Sequence, residues 1–407
     1  MNYIPRALED KFRSTSSFFK AVLVTGARQV GKTTMLKHLS ATEARSYVTL
    51  DNLQVRELAK NDAALFFQTY KPPILIDEVQ YAPELFNQIK IICDETDVSG
   101  LFWLTGSQQF SLMQNVQQSL AGRLGILELY SMSQSEIRGI SYANELEFNL
   151  PALIERHKQA PKNDVHQVFE HIWRGGMPQV LLADTQNRQI YFESYIETYI
   201  MRDVMQFGGV IDALKFRKFI TACASLTAQL VNYKTLAEAS DISQPTAKSW
   251  LNLLCGMGII YLLQPFYSNA LKRLSKTPKL YFYDTGLCSY LAMWPTPDTL
   301  RNGASNGHYF ENYIVSEMIK TISTGKSPAR LSFLRDGNSE IDLLLEIGNI
   351  IHPFDIKLSA NPDKRSVRKF SVLDSLPIAR GTGGIICMIQ DVIPVDEKNL
   401  YIPSNII

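Results

Sequence analysis

Residues 24–34 read VTGARQVGKTT, and this stretch limits the fold more than any other. Gly26-x-x-x-x-Gly31-Lys32-Thr33 fits the pattern G-x-x-x-x-G-K-[ST] at every fixed position. The two glycines allow backbone angles that a Cβ forbids. The amides of Gly26, Ala27, Arg28, Gln29, Val30, Gly31, Lys32, Thr33 and Thr34 can then converge on phosphate oxygens, with the positive end of a helix behind them. Lys32 is expected to reach the outer phosphates, and Thr33 to offer its hydroxyl to Mg2+. The flanks agree: AVLVT (Ala21–Thr25) reads as a buried strand and Lys32–Leu39 as a helix.

Such a loop requires a carboxylate at the end of another strand, and ILIDEVQ supplies one. Asp77 is expected to hold Mg2+, usually through water, and Glu78 to polarise an attacking water. FWLTGSQ is a further strand end, where Ser107 is expected to sense the γ-phosphate or the lytic water, to cap a helix, or both. SLAGRLG places Arg123 in a glycine-flanked loop. An arginine there can stabilise charge on a transferring phosphoryl group, in cis or from a neighbouring subunit; the alternative is a plain surface arginine. Strand patterns at Tyr47–Leu50, Ile74–Ile76, Leu101–Thr105 and Gly125–Tyr130 alternate with helical ones such as Pro83–Cys93. They predict an α/β domain with a parallel sheet over residues 1–130.

A chain of 407 residues has room for two or three domains. Its net charge of +1 gives no global attraction to nucleic acid or membrane, so any such binding must come from a local patch. The five cysteines are scattered without C-x-x-C spacing, which argues against a disulfide framework or zinc site and suits a reducing cytoplasm. MNYIPRALED lacks the pattern of a secretory signal, and no apolar run approaches the ~20 residues needed to span a bilayer. A soluble cytoplasmic protein with no membrane partner is expected.

Residues 131–165 read as a connector with some helix, and residues 166–295 as a helical region that includes Arg188–Val204 and Ala213–Ala228. Within it, Lys234–Ala239, a turn at Asp241–Ser243, Gln244–Cys255 and a strand at Ile259–Leu263 follow the winged helix-turn-helix order. Ser243 is the expected N-cap, and Ala247, Leu251 and Leu254 the inner face. Gln244, Thr246, Lys248, Ser249 and Asn252 then point outward as candidate DNA contacts, with Lys272, Arg273, Lys276 and Lys279 as a basic wing. Many such modules serve only packing or dimerisation.

Residues 296–407 read as an α/β domain. A helix at His308–Lys320 carries Glu311. SEIDLLLEI sets Glu340 and Asp342 on one strand face, and IHPFDIKLS sets Asp355 and Lys357 on one face of the next. Asp342 precedes Asp355 by a spacing that suits a hairpin. Lys364–Leu373 reads as a helix and Gly384–Met388 as a strand. An acid followed by Asp-x-Lys on the next strand looks like the PD-(D/E)xK nuclease core. There Asp342 and Asp355, with Glu311, would coordinate Mg2+ while Lys357 positions water against a scissile phosphate. Lys364, Arg365, Arg368 and Lys369 would attract the backbone. The plainer reading is a solvated acid-lysine pair.

GARQVGKTT, LIDEVQ, LTGSQ and SLAGR, with WRGGMP (Trp173–Pro178) and YIETYIMRDV (Tyr195–Val204), together resemble the AAA-type ATPases of bacteria and archaea that carry a C-terminal domain called DUF4143. The resemblance covers nearly the whole chain. It implies the additional-strand, catalytic-glutamate class, with ATP as the nucleotide. The family's Gly-Gly-x-Pro is intact at Gly175–Pro178, where a helix-terminating turn is expected. Arg202 and Asp203 are expected either to form a local ion pair or to bear on nucleotide state or a subunit contact. The expected whole is a Mg2+-dependent ATPase coupling nucleotide state to DNA binding or processing through winged-helix and nuclease-like domains. The alternative is a nucleotide-driven switch for protein partners or further copies of itself, with a catalytically silent nuclease-like scaffold. A metabolic kinase is disfavoured by Glu78.

Overall fold

The structure is a computed structural model of the chain and describes residues 3–107, 120–140, 146–207, 212–266, 277–325, 327–336 and 339–407. The chain divides into two compact units, residues 1–132 with 256–259, and residues 133–255 with 260–407. Among the described residues no helix is long and apolar enough to cross a membrane.

In the first unit, β1 (Ala21–Thr25), β2 (Ser46–Thr49), β3 (Ile74–Asp77), β4 (Phe102–Thr105) and β5 (Leu124–Glu128) form one sheet. Its order is β2-β3-β4-β1-β5, and every neighbouring pair is parallel. β1, β3 and β4 are buried throughout, as continuous apolar runs covered on both faces must be. Helices α1 (Glu9–Phe18), α2 (Lys32–Ser40), α3 (Leu53–Asn61), α4 (Ala63–Thr69) and α5 (Leu85–Glu95) accompany the sheet. α5 turns Leu85, Phe86, Ile89 and Cys93 into a core shared with Phe66 and Phe102. Each side chain of that size contributes roughly 1.5–3 kcal/mol when buried. β4 lies between β1, which leads into the glycine loop, and β3, which ends at Asp77. The additional strand implied by the resemblance is therefore present.

The second unit is helical at first. The connector contains Gln134–Ile137, opened by a Ser133–Glu136 capping box, and Leu150–Gln159. The helix expected over Arg188–Val204 is instead Thr185–Tyr195, a π-helical turn at Ile196–Met201, and Arg202–Phe207. Arg202 Nε lies 3.6 Å from Asp203 Oδ1, the local ion pair. WRGGMP ends the helix Val165–Arg174. Gly175 has φ 77° and donates its N–H to His171 O at 2.9 Å. Gly176 N–H donates to Asp284 Oδ2 at 2.8 Å. The buried Arg188 donates to Trp173 O (2.6 Å), Gly286 O (3.1 Å) and Ser289 Oγ (2.8 Å). The motif is thus a turn clamped onto the Asp284–Gly286 segment.

Next come the helix Ala213–Ser225, β6 (Gln229–Leu230), the helices Tyr233–Ser240 and Gln244–Gly256, β7 (Ile260–Leu263) and β8 (Lys279–Phe282). The three strands pair antiparallel in the order β6-β8-β7. Ser243 Oγ accepts Thr246 N–H at 3.2 Å, the expected cap. Ala247, Leu251 and Leu254 are buried as expected, joined by Trp250, whose ring lies 5.1 Å from Phe216 and 5.5 Å from Phe219.

The C-terminal part places the helix Asn306–Thr324 before β9 (Ala329–Asp336), β10 (Ser339–Ile347), β11 (Ile350–Lys357), β12 (Ala379–Arg380), β13 (Gly383–Cys387), β14 (Ile393–Pro394) and β15 (Asn399–Pro403). The main order is β14-β15-β13-β11-β10-β9, with β12 beside β11. β9, β10 and β11 are antiparallel, while β11, β13 and β15 run parallel. The helix expected at Lys364–Leu373 is a 3-10 helix, Lys364–Ser375. Its buried Val367, Phe370 and Leu373 recur every third residue, the period that a three-residue turn aligns on one face.

A Cβ on Gly175 would lie 2.5 Å from Asp284 Oδ1 and 2.6 Å from Gly286 N. With a positive φ as well, Gly175→Ala is expected to destabilise the second unit by about 2 kcal/mol or more. Urea unfolding measures this, and a loss below about 0.5 kcal/mol, the size of an ordinary surface change, would contradict the clamp.

Candidate functional site

The loop after β1 is shaped by its glycines. Gly26 has φ 132°, and a Cβ there would sit 2.1 Å from Leu129 O. Gly31 has φ 99° and occupies the N-cap of α2, while Gln29 is also left-handed at φ 63°. The side chain of Lys32 folds back over the loop, donating to Gly26 O at 3.0 Å and Ala27 O at 2.8 Å. Burial lowers its pKa to about 8, although Glu78 and Asp77 pull in the other direction.

Asp77 gathers the hydroxyls of this edge. Thr33 Oγ1 donates to Asp77 Oδ1 at 2.6 Å, Thr105 Oγ1 donates to the same oxygen, and Tyr47 OH donates to Oδ2 at 3.3 Å. Glu78 follows in the left-handed region at φ 58°. Its N–H donates to Thr105 Oγ1 at 3.1 Å, and its carboxylate accepts from Gln80 Nε2. Thr33 and Asp77 fit a Mg2+ site of the kind that nucleotide phosphates complete: a hydroxyl ligand with a carboxylate behind it. Ser107 is buried, and its Oγ has no hydrogen-bond partner among the described residues. Thr105 and Gln80 are not singled out by sequence, although both lie within quoted motifs, FWLTGSQ and ILIDEVQ.

Arg123 is not at this edge. Its carbonyl accepts from Ala21 N–H at 3.3 Å, at the start of β1, whereas the loop leaves the strand's other end. Five residues at about 3.3 Å each put roughly 15 Å between them. The expected cis contact with a bound phosphoryl group is therefore corrected. Arg123 instead forks onto Asp94 at the end of α5. The arginine that does touch the loop is Arg6. It is buried and donates from Nη1 to Val30 O at 2.7 Å and from Nη2 to Tyr130 O at 2.8 Å. Nothing in the local sequence MNYIPRALED marks it, because its partners are backbone carbonyls distant in sequence.

In the second unit the helix Asn306–Thr324, β8, β10 and β11 bring Glu311, Glu340, Asp342, Asp355 and Lys357 together, as the sequence predicts. Leu343 pairs with Phe354, which sets Asp342 beside Asp355 across the hairpin. Lys357 Nζ lies 3.2 Å from both aspartates, and Lys369 Nζ lies 2.7 Å from Asp355 Oδ1. Ile356 N–H donates to Asp342 Oδ2 at 2.9 Å. Asp355 is fully buried, and its Oδ2 has no hydrogen-bond donor among the described residues. Burial and the neighbouring Asp342 raise its pKa. Asp342, despite its own burial, is held ionised by its bond to Asp355 and by Lys357 and Lys279. Adjacent carboxylates oppose each other's ionisation, and here the upward shift falls on Asp355.

The carboxylates expected to hold a metal face a lysine in this structure. Lys279, assigned to a basic wing from sequence, is 3% exposed. Its ammonium lies 3.0 Å from Glu311, 2.6 Å from Glu340 and 4.0 Å from Asp342. Among the described residues no three His, Cys, Asp or Glu side chains are grouped so as to hold a metal ion. The carboxylates do not fit Mg2+, which requires a near-octahedral oxygen shell at about 2.1 Å. The other wing candidates, Lys272, Arg273 and Lys276, lie outside the described residues. Gln244, Lys248, Ser249 and Asn252 are exposed along one helix, with Thr246 partly so. Lys364, Arg365 and Arg368 are exposed too, Arg365 paired with Asp363 at 2.7 Å.

Residues 18–138 match a family described as an AAA domain. Residues 165–298 and 306–407 match two domains of unknown function, DUF8612 and DUF4143. An uncharacterized protein of Mycobacterium tuberculosis is 28% identical over 364 residues, covering 88% of this chain and 75% of that protein. An uncharacterized protein of Mycobacterium bovis matches to the same extent. Among solved structures, a Walker-type ATPase of Pyrococcus abyssi overlaps 72% of this chain and 96% of its own, at 12% identity and a TM-score of 0.42. The RuvB Holliday junction branch migration motor of Thermotoga maritima overlaps 66% and 91%, at 15% identity and a TM-score of 0.30.

Proposed function

We propose that this chain, which carries an AAA domain at residues 18–138 and a DUF4143 domain at residues 306–407, is a Mg2+-dependent ATPase whose nucleotide state is coupled to DNA binding. The observation that carries the ATPase reading is the joint geometry of the loop and Asp77. The Gly26–Thr34 backbone supplies the amides, Lys32 a buried ammonium, and Thr33 a hydroxyl already bonded to Asp77. An arriving triphosphate replaces the Gly26 and Ala27 carbonyls as the partner of Lys32. Thr33, with Asp77 behind it, would hold Mg2+, which would supply positive charge against the phosphates. Glu78 takes the proton of the attacking water, and Gln80 orients it. Ser107 contacts the γ-phosphate with its hydroxyl, which has no partner among the described residues. Arg123 serves only a neighbouring copy's nucleotide, and only after leaving Asp94.

The DNA-binding reading is supported by the order of helix, strand, two helices and two strands from Ala213 to Phe282, which is that of a winged helix-turn-helix. The order of the helix Asn306–Thr324 with β9 to β11 and β13 likewise supports a PD-(D/E)xK-like fold. The second reading, a nucleotide-driven switch for a protein partner, is favoured by the near-neutral net charge and by the lysine within the C-terminal carboxylates. Absence of DNA binding at low salt would select it.

Lys32→Ala is expected to weaken Mg-ATP binding at least about tenfold, one lost charged contact to phosphate. Glu78→Gln should bind within about threefold of wild type while turnover falls about a hundredfold. Calorimetry and phosphate release measure these, and normal turnover of Glu78→Gln would remove Glu78 from its role. The lowered pKa of Lys32 adds a pH dependence. Above about 8 the free protein loses the Lys32 proton and must regain it to pair with phosphate. Affinity therefore stays level below that pH and weakens above it, by up to about tenfold per pH unit. Lys32→Arg should flatten the profile. For DNA, Lys248→Ala should weaken binding equally across sequences and lower the slope of log K against log salt by about 1, as read by fluorescence anisotropy.

A further inference from the structure

We propose that the ammonium of Lys279 occupies the cation position of the C-terminal carboxylate cluster, closing it to divalent metal with the chain's own side chain. Lys279 stands at the start of β8, a strand buried along its length. Its three N–H donors face three carboxylates from two other elements, Glu311 on the helix Asn306–Thr324 and Glu340 and Asp342 on β10. The strand is held in this register by its neighbours. Phe282 N–H donates to Asn312 Oδ1 at 2.7 Å and Phe282 O accepts from Asn312 Nδ2 at 3.1 Å. Tyr281 OH donates to Glu311 Oε1 at 2.7 Å. β8 is therefore locked to the helix that supplies Glu311.

A buried cation so surrounded is not an accident of a flexible surface chain. An unpaired ammonium would not stay in such a place, and three unpaired carboxylates would not either. Lys357 and Lys369 complete the pattern on Asp342 and Asp355, so every carboxylate of the cluster already touches an ammonium group. A divalent ion entering between Glu311 and Asp342 would have to displace Lys279 or sit against a like charge. The comparison with a metal centre rests on the nuclease-like reading. The contacts do not, and the ATP and DNA readings are independent of them.

The test is Mn2+ binding by the nucleotide-free full chain, followed by calorimetry and by Tm. Wild type is expected to show no Mn2+ binding that Asp342→Asn removes, and no Mn2+-dependent rise in Tm. Lys279→Met should lower Tm and create a Mn2+ site at least tenfold tighter than any in wild type. Mn2+ should restore its Tm, and the double variant Lys279→Met with Asp342→Asn should lose both effects. If Lys279→Met does not fold in chelator, Mn2+ present during refolding should recover it. Mn2+ binding by wild type that is lost in Asp342→Asn would overturn the proposal. So would a Lys279→Met protein that gains neither affinity nor stability from Mn2+, or a misfolded one that Mn2+ does not rescue.

Discussion

The carboxylate of Asp77 holds the N-terminal sheet edge together. It accepts Thr33 from the loop helix, Thr105 from β4 and Tyr47 from β2. These hydroxyls converge because the strands are parallel, so every strand in the sheet delivers its last residue to the same side. A parallel edge of this kind leaves strand-end carbonyls and amides without ladder partners, and polar side chains must satisfy them. Thr105 does so twice, giving its proton to Asp77 and taking the Glu78 N–H. That second bond accompanies the left-handed backbone at Glu78. Two adjacent acids have different surroundings, Asp77 tied down by hydroxyls and Glu78 bonded to the Gln80 amide.

What could be read in the sequence follows from how local each constraint is. The loop is demanded by backbone geometry over a few residues and the Asp77–Glu78 pair by its place at a strand end, so residue type reveals them; the Gly175–Gly176 turn came with the family resemblance. β1, β3 and β4 are buried apolar runs, while β2 and β5 are only partly buried; all five were legible within a residue or two at each end. The insertion of β4 between β1 and β3 is a matter of order, which no run of residues encodes by itself; the family resemblance implied it. Arg6 was invisible because it bonds Val30 and Tyr130 through their carbonyls, and a carbonyl carries no side-chain signature. The 3-10 helix at Lys364–Ser375 was legible in principle, since Val367, Phe370 and Leu373 repeat at three rather than at alternating three and four.

Lys279 and Lys32 show the limit most clearly, because the same residue type stands in two settings that sequence spacing does not distinguish. Lys279 lies in a basic-looking stretch with Lys272, Arg273 and Lys276, and sequence spacing could not separate a strand's buried face from a loop. Both lysines are nearly buried, and both lie near two or more acids. Their electrostatics nevertheless point in opposite directions. Burial dominates at Lys32, where carbonyl oxygens are the direct partners and Glu78 and Asp77 only partly offset the loss of water. At Lys279 burial is outweighed by Glu311, Asp342 and Glu340, which raise its pKa above that of an ordinary lysine.

The sign of that balance separates a lysine that awaits an anion from one that already has its anions. An ammonium whose proton is loosened by burial gains most when a phosphate arrives, because the incoming charge repairs a deficit present in the free protein. An ammonium already surrounded by carboxylates gains nothing from a further anion, and its removal leaves a cluster that attracts cations. On the proposed reading, Lys32 belongs to a site completed by a ligand, and Lys279 to a site completed by the fold. In this chain the two states of the same chemistry stand in separate units, and the difference lies in the neighbours: backbone carbonyls around one, carboxylates around the other.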